Sequence, residues 1–390
     1  MIWEIIFILS IFCILQSYLF YPWIIAFLAR NKKQNDLVFQ PNDMELPSVS
    51  ILLAAYNEEL VIEEKIRKTF ESNYPIDKIE FLIGSDASTD KTNEIIKSFE
   101  ANYSNLKLFK FPGRTGKSSI INELVKNASN EIFILTDANV IFEEDTIYQL
   151  VKHYKNNEIS LVGGNIINSR FRKDGISFQE EKYISRENLI KYQEGILWGS
   201  MIGAFGGCYS IRPQYYAAVP ARFFMDDFYI TMNVIENKGV CINELHAICY
   251  EDISNKIKEE FRRKVRISIG NFQNLFRYWK LIWPLYSGVS FSFVSHKILR
   301  WLGPFFLLLL LTSNVMLFQK GLFFQISLFG QIILLIIPLM DTFLRSINLH
   351  LNLLRFISHF YLMNLALLIG FFKFIKGVKS NIWQPTQRYQ

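Results

Sequence analysis

Asp137 and Asn139 stand two residues apart at the end of an apolar run, EIFILTDANV over 131–140. In a strand this spacing puts both side chains on one face. At the carboxyl end of a buried parallel strand, that face opens into the crevice where α/β folds bind ligands. Two oxygen donors there can hold a hard divalent cation, and through it a diphosphate. A second acidic element, Asp226-Asp227, is framed by Phe224, Met225 and Phe228. A carboxylate among aromatic neighbours is partly desolvated, which makes it a usable general base. Arg114 and Lys117 lie in FPGRTGKSS, which is like a Walker A loop, but Phe111 takes the place of that motif's first glycine and no phosphate cradle is expected. The two cations then either meet phosphate as point charges or belong to a solvated basic loop. The run Arg262-Arg263-Lys264-Val265-Arg266 opens a stretch, 261–280, with six basic residues and no acid. On a helix it reads as a clamp for a leaving diphosphate or as a surface resting on anionic lipid.

Strand and helix periodicity supplies the elements that position these groups. Strands are expected at 49–55, 80–84, 106–111 and 131–136, separated by helices over 60–72, 92–99 and 120–125. Asp90 is suited to cap the second of these helices. The βαβαβαβ order implies a mainly parallel sheet covered on both faces. Three strand ends then carry polar clusters: Ala55-Tyr56-Asn57-Glu58-Glu59, Ser85-Asp86-Ala87-Ser88-Thr89-Asp90, and Asp137 with Asn139. Any one of them reads as turn chemistry, whereas three together read as a crevice for one nucleotide-shaped ligand. Glycines crowd 162–165 and 199–209, where backbone approaches a ligand or bends. Trp198, Met201 and Phe205 beside them either line a pocket or pack the core.

The apolar residues are unevenly spread. Residues 5–29, 301–319 and 321–340 contain no charge, and 356–372 carries only His359. Each is near the roughly 20 residues that cross a bilayer core. The expected organisation is an N-terminal transmembrane helix over 1–30, a globular domain over 45–260, an amphipathic interfacial segment over 261–297, two or three membrane spans within 298–376, and a tail over 377–390. The first run is longer than a signal's apolar core and follows Glu4, so an uncleaved anchor is expected. Arg30, Lys32 and Lys33 after it place the globular domain on the cytosolic side of a cell membrane. Three closing spans would put Lys376, Lys379 and Arg388 outside, against the same rule. The four cysteines show no metal spacing. The net charge of +6 accompanies no nucleic-acid motif, and it fits membrane lipids and phosphorylated substrates as partners.

In this order, the motifs AYNEE, SDASTD, TDAN, Gly206-Gly207, Asp226-Asp227 and the basic run resemble the membrane-bound family 2 glycosyltransferases. These are inverting enzymes of GT-A fold, related to cellulose, hyaluronan and poly-N-acetylglucosamine synthases. The resemblance implies a Rossmann-like GT-A domain and a nucleotide-sugar donor, with UDP the commonest nucleotide and GDP also used. It implies a lipid-linked or glycan acceptor and Mg²⁺ or Mn²⁺ as cofactor. Carried over by position, Ala55, Tyr56, Asn57, Glu58, Asp86 and Lys117 bind the nucleotide-sugar, and Asp137 holds diphosphate and metal with Asn139 in the place of a second acid. Asp227 is the base with Asp226 beside it, and Arg263 and Arg266 face the leaving group. In processive relatives a QxxRW motif stands where this chain has Arg263 and Ile267, which speaks for single addition over polymerisation. A processive synthase and a catalytically inactive sugar-nucleotide-binding subunit are the alternatives. A transporter is disfavoured, since the spans carry almost no ionisable residue.

Overall fold

The computed structural model describes residues 1–168, 177–251, 257–347, 349 and 351–378. The expected tail beyond 378, with Lys379 and Arg388, lies outside them. The described residues divide into two compact units, one from 1–24, 177–180 and 257–377, the other from 25–168 and 181–251.

The second unit is built on an eight-stranded sheet. Its strands are β1 (Val49–Ala55), β2 (Ile79–Asp86), β3 (Leu106–Phe111), β4 (Ile132–Thr136), β5 (Val140–Phe142), β6 (Ile159–Asn168), β7 (Cys208–Ile211) and β8 (Val240–Glu251), in the order β3-β2-β1-β4-β7-β6-β8-β5. The first half is parallel, as the alternation of strands and helices requires. All seven residues of β1 are buried, as expected of a parallel strand covered on both faces. Full burial of Ile51, Leu52 and Leu53 contributes roughly 1.5–3 kcal/mol per side chain. Val49 pairs with Ile79 on one side and Ile132 on the other, so the carboxyl ends of β1, β2 and β4 finish level. That alignment brings the three polar clusters to one edge. The order turns at β1, between β2 and β4, which is the topological switch point where α/β sheets bind ligands.

Beyond β4 the sheet is mixed. β7 runs antiparallel to β4 and β6, while β6 and β8 are parallel. Cys208 pairs with Thr136, and this brings Gly206-Gly207 to the end of β4. The glycines at 163 and 164 lie inside β6 and not in a loop. A side chain at Gly163 would meet Asn243 and Met201, and one at Gly164 would meet Cys208, so close packing excludes any larger residue.

In the first unit, helix Ile257–Arg277 packs along helix Asn352–Ile375, with Phe272 and Phe371 in edge contact at 4.9 Å and the Ser268 hydroxyl donating to Leu367 O at 2.8 Å. Gly370 permits this approach, because a Cβ there would fall 2.3 Å from that of Ser268. Glu180, fully buried, accepts from Lys264 at 2.9 Å and lies 3.0 Å from His359. Among the described residues three helices are long and apolar enough to cross a membrane: Ile2–Ala29, Leu322–Ser346 and Asn352–Ile375. Gly288–Trp301 and Gly303–Met316 form a fourth candidate bent by 64°. The stretch expected to lie as an interfacial segment up to 297 is therefore helical from Gly288, and it runs into the broken pair.

Candidate active site

The turns after β1 and β2 are joined by hydrogen bonds. Asn57 takes a positive φ of 52° and accepts from Thr89 N at 2.9 Å, while Glu58 N donates to Thr92 Oγ1 at 2.8 Å and Glu59 N to Asp90 Oδ2 at 3.1 Å. Asp90 also accepts from Thr92 N at 3.0 Å, which opens helix Thr92–Glu100. The residues expected to embrace a nucleotide are thus fixed to one another. Ala55 is buried beneath them.

Asp86 ends β2 with no exposure, and it holds the next loop. Its carboxylate accepts from Arg114 Nε at 3.0 Å, Thr115 N at 2.6 Å and Gly116 N at 3.2 Å. The Arg114 guanidinium lies 3.2 Å from the Tyr56 ring centre, a cation–π contact that closes the circuit back to β1. The loop is therefore not a solvated basic one. Asp86→Ala strips three or more charge-assisted hydrogen bonds and leaves Arg114 without its carboxylate. The expected loss is about 3 kcal/mol of stability, with hydrogen exchange over 112–116 rising to solvent rates.

Gly116, at φ 89°, turns the chain into helix Lys117–Asn127, so Lys117 emerges at its first position. Its ammonium lies 2.7 Å from Asp137 Oδ1 and 3.5 Å from Asp226 Oδ2. Burial opposes this charge, but the Asp137 and Asp226 carboxylates outweigh it and hold Lys117 well above the usual lysine range. Asp226 and Asp227 open helix Asp226–Glu236 after Met225, which sits in the left-handed region. Asp227 is buried and accepts from Phe228 N at 2.8 Å. Burial and the adjacent Asp226 charge push Asp227 up to about 6, against the opposing pull of Lys117. Gly206 faces it so closely that a Cβ would stand 3.0 Å from Asp227 Oδ2. A buried carboxylate poised near neutrality is suited to taking a proton from a hydroxyl.

Asn139 donates its amide to Glu251 Oε1 at 3.3 Å, so the end of β8 orients it. Among the described residues no cluster of three or more His, Cys, Asp or Glu forms a metal cage. Asp137 is about one-third exposed and already has a cation, the Lys117 ammonium, against it. This donor set fits a Mg²⁺ or Mn²⁺ that takes most of its ligands from a diphosphate and water. Beneath the turn, Lys65 is fully buried and donates to Thr136 Oγ1 at 2.8 Å and Val140 O at 2.6 Å. Burial pushes Lys65 down to about 7.

Arg263 and Arg266 stand on helix Ile257–Arg277 of the first unit, where Arg263 Nε lies 3.1 Å from Glu260. Met201 is wholly buried and packs the core, while Phe205 lies under the Lys191 ammonium at 3.3 Å. Two residues were not picked out from sequence. Lys65 could have been, as the one charge at 62, 65, 66 and 69, a helical stripe whose other members are Ile62, Ile66 and Thr69. Tyr209, buried with its hydroxyl lacking a partner among the described residues, carries no such signal. Burial and the charge of Asp226 hold its phenol un-ionised.

Residues 50–212 match the family described as Glycosyl transferase family 2. The poly-beta-1,6-N-acetyl-D-glucosamine synthase of Staphylococcus epidermidis is 25% identical over 286 residues, 68% of this chain and 67% of that protein. The probable glycosyltransferase YdaM of Bacillus subtilis is 29% identical over 123 residues, 31% of this chain and 29% of that protein. A solved structure, the mannosyltransferase PcManGT from Pyrobaculum calidifontis in complex with GDP-Man and Mn²⁺, is similar with a TM-score of 0.71 at 18% identity, covering 95% of this chain and 99% of that one.

Proposed function

Because this chain is a family 2 glycosyltransferase with a GT-A fold, we propose that it transfers a sugar, with inversion, from a nucleotide-diphosphate sugar to a membrane-associated or lipid-linked glycan acceptor. A UDP-sugar is the first donor to test and a GDP-sugar the second. The observation that carries this reading is the Asp227 carboxylate, set beside Asp226 and the Lys117–Asp137 pair and pushed up to about 6.

The acceptor hydroxyl gives its proton to Asp227 as its oxygen attacks the anomeric carbon. Attack comes from the face opposite the diphosphate, so one carbon–oxygen bond forms as the other breaks and configuration inverts. Lys117 meets the charge that develops on the departing diphosphate; a divalent metal, which Asp137 and Asn139 would hold, would supply Lewis-acid stabilisation there. Tyr56, Asn57 and Glu58 bind the nucleotide, with Asp86 acting through the loop it holds. Arg263 and Arg266 are assigned to the leaving group on the resemblance alone. The protein is read as a multi-pass membrane enzyme with its catalytic domain in the cytosol, acting in cell-envelope polysaccharide or glycolipid synthesis.

The named Staphylococcus relative is a polymer synthase, which supports a second reading as a processive enzyme. The residues at the QxxRW positions, Arg263 and Ile267, oppose it. The test is release of nucleoside diphosphate by the purified full chain in native lipids, screened over UDP- and GDP-sugars with Mg²⁺ or Mn²⁺, and sizing of the glycan product. Turnover with one donor and addition of one sugar are expected. A long product favours the synthase, and intact nucleotide binding without turnover on any donor leaves a binding subunit.

A further inference from the structure

Lys65 is the feature of the catalytic unit that the proposed chemistry leaves unused. It sits on helix Ile62–Phe70 with no exposed surface and forms no ion pair among the described residues. An ammonium taken out of water without a carboxylate costs several kcal/mol, so its remaining contacts must offset that. They are unusually directed. Nζ donates to Thr136 Oγ1 at 2.8 Å and to Val140 O at 2.6 Å, and lies 3.3 Å from the Phe142 ring centre.

Thr136 and Val140 are the residues on either side of the Asp137-Ala138-Asn139 turn. One ammonium therefore clasps both ends of the segment that carries Asp137 and Asn139. The contact is relayed further. The Thr136 hydroxyl that accepts from Lys65 donates onward to Gly207 O at 2.8 Å. Gly207 follows Gly206, the residue that lies against Asp227.

We propose that Lys65 is a positioning residue that sets the Asp137–Asn139 turn for a metal-bound diphosphate and, through Thr136, seats the Gly206-Gly207 segment behind the base. This rests on the reading of Asp137 as the residue that holds metal and diphosphate. The Lys65 hydrogen bonds go to a hydroxyl and a backbone carbonyl, so Lys65 leaves the Asp137 carboxylate to Lys117, which lies 2.7 Å from it, and to the outward face.

The test is Mn²⁺ binding by the full chain, followed by electron paramagnetic resonance with UDP present and in parallel with GDP. Lys65→Met keeps the length and loses the donors. It is expected to weaken Mn²⁺ half-saturation about 10-fold, the usual scale for losing an outer-shell contact. Thr136→Val should shift it in the same direction, whereas Thr136→Ser, which keeps the hydroxyl, should stay near the unaltered protein. A purely structural role lowers the melting temperature and the active fraction without moving half-saturation. Folded Lys65→Met that binds Mn²⁺ as the unaltered protein does would overturn the proposal. If Lys65→Met does not fold, Thr136→Val with unchanged Mn²⁺ affinity overturns it just as well. Asp137→Asn separates the two readings, since unchanged Mn²⁺ binding in that variant removes Asp137 from the metal site. If the unaltered chain takes up no Mn²⁺ with either nucleotide, that assignment fails and this proposal fails with it.

Discussion

Asp227→Asn is expected to lower kcat by about 10³-fold while leaving donor KM within about twofold, because it removes a proton acceptor and little ground-state binding. The amide has the size of the carboxylate, and its oxygen can still accept from Phe228 N, the bond Asp227 makes at 2.8 Å. The helix start and the approach of Gly206 are therefore preserved, and what is lost is chemical. The pH profile supplies the second readout. Burial and Asp226 raise Asp227 to about 6. Only its ionised form takes a proton, so kcat/KM of the unaltered enzyme should rise with pH and level off above about 6. Below that it should fall by about tenfold per pH unit. In Asp227→Asn this acid limb should be absent from whatever turnover remains. An undiminished kcat, or the same limb in the variant, would remove Asp227 from the base role.

The parallel half of the sheet was legible, and the mixed half beyond β4 was not. β1 and β3 have the expected bounds, because each is a continuous apolar or alternating run closed by polar turn residues. Their level carboxyl ends follow from the parallel register. β6 hides its strand character behind Gly163-Gly164, which exist because Met201, Cys208 and Asn243 fill their space from distant parts of the chain. Such packing constraints leave no local pattern to read. The acids were visible as residue types at strand ends, but their partners were not. Asp86 reads as a nucleotide contact from its position, whereas it is consumed by Arg114, Thr115 and Gly116 about thirty residues on. Arg114 and Lys117 read equally as a solvated loop, since nothing local shows that each meets a buried or half-buried carboxylate. Lys65 is the opposite case. A lysine on an apolar helical stripe is a visible contradiction, and contradictions of that kind mark functional positions more reliably than agreement does.

Lys117→Met should be the other large effect, with a signature distinct from loss of the base. In the unaltered protein one ammonium lies between Asp137, at 2.7 Å, and Asp226, at 3.5 Å, with Asp227 next to Asp226 in the chain. Removing it costs the charge proposed to meet the departing diphosphate, for which a fall in kcat/KM of about 10²-fold is expected. It also removes the positive charge that pulls Asp227 downward. An acid that loses a nearby cation favours its neutral form, so the acid limb should persist but move to a pH above about 6. Stability should change with the same sign. Carboxylates whose folded-state values are raised bind protons more tightly folded than unfolded, so the variant should lose stability as pH rises through that window. Its melting temperature, set against that of the unaltered protein, should thus fall further behind at pH 8 than at pH 5.5. Lys117→Arg keeps the charge and should leave the limb near its original place. If Lys117→Met loses activity with the limb unmoved and the melting difference independent of pH, Lys117 is not electrostatically joined to the acids, and the cluster cannot work as a unit.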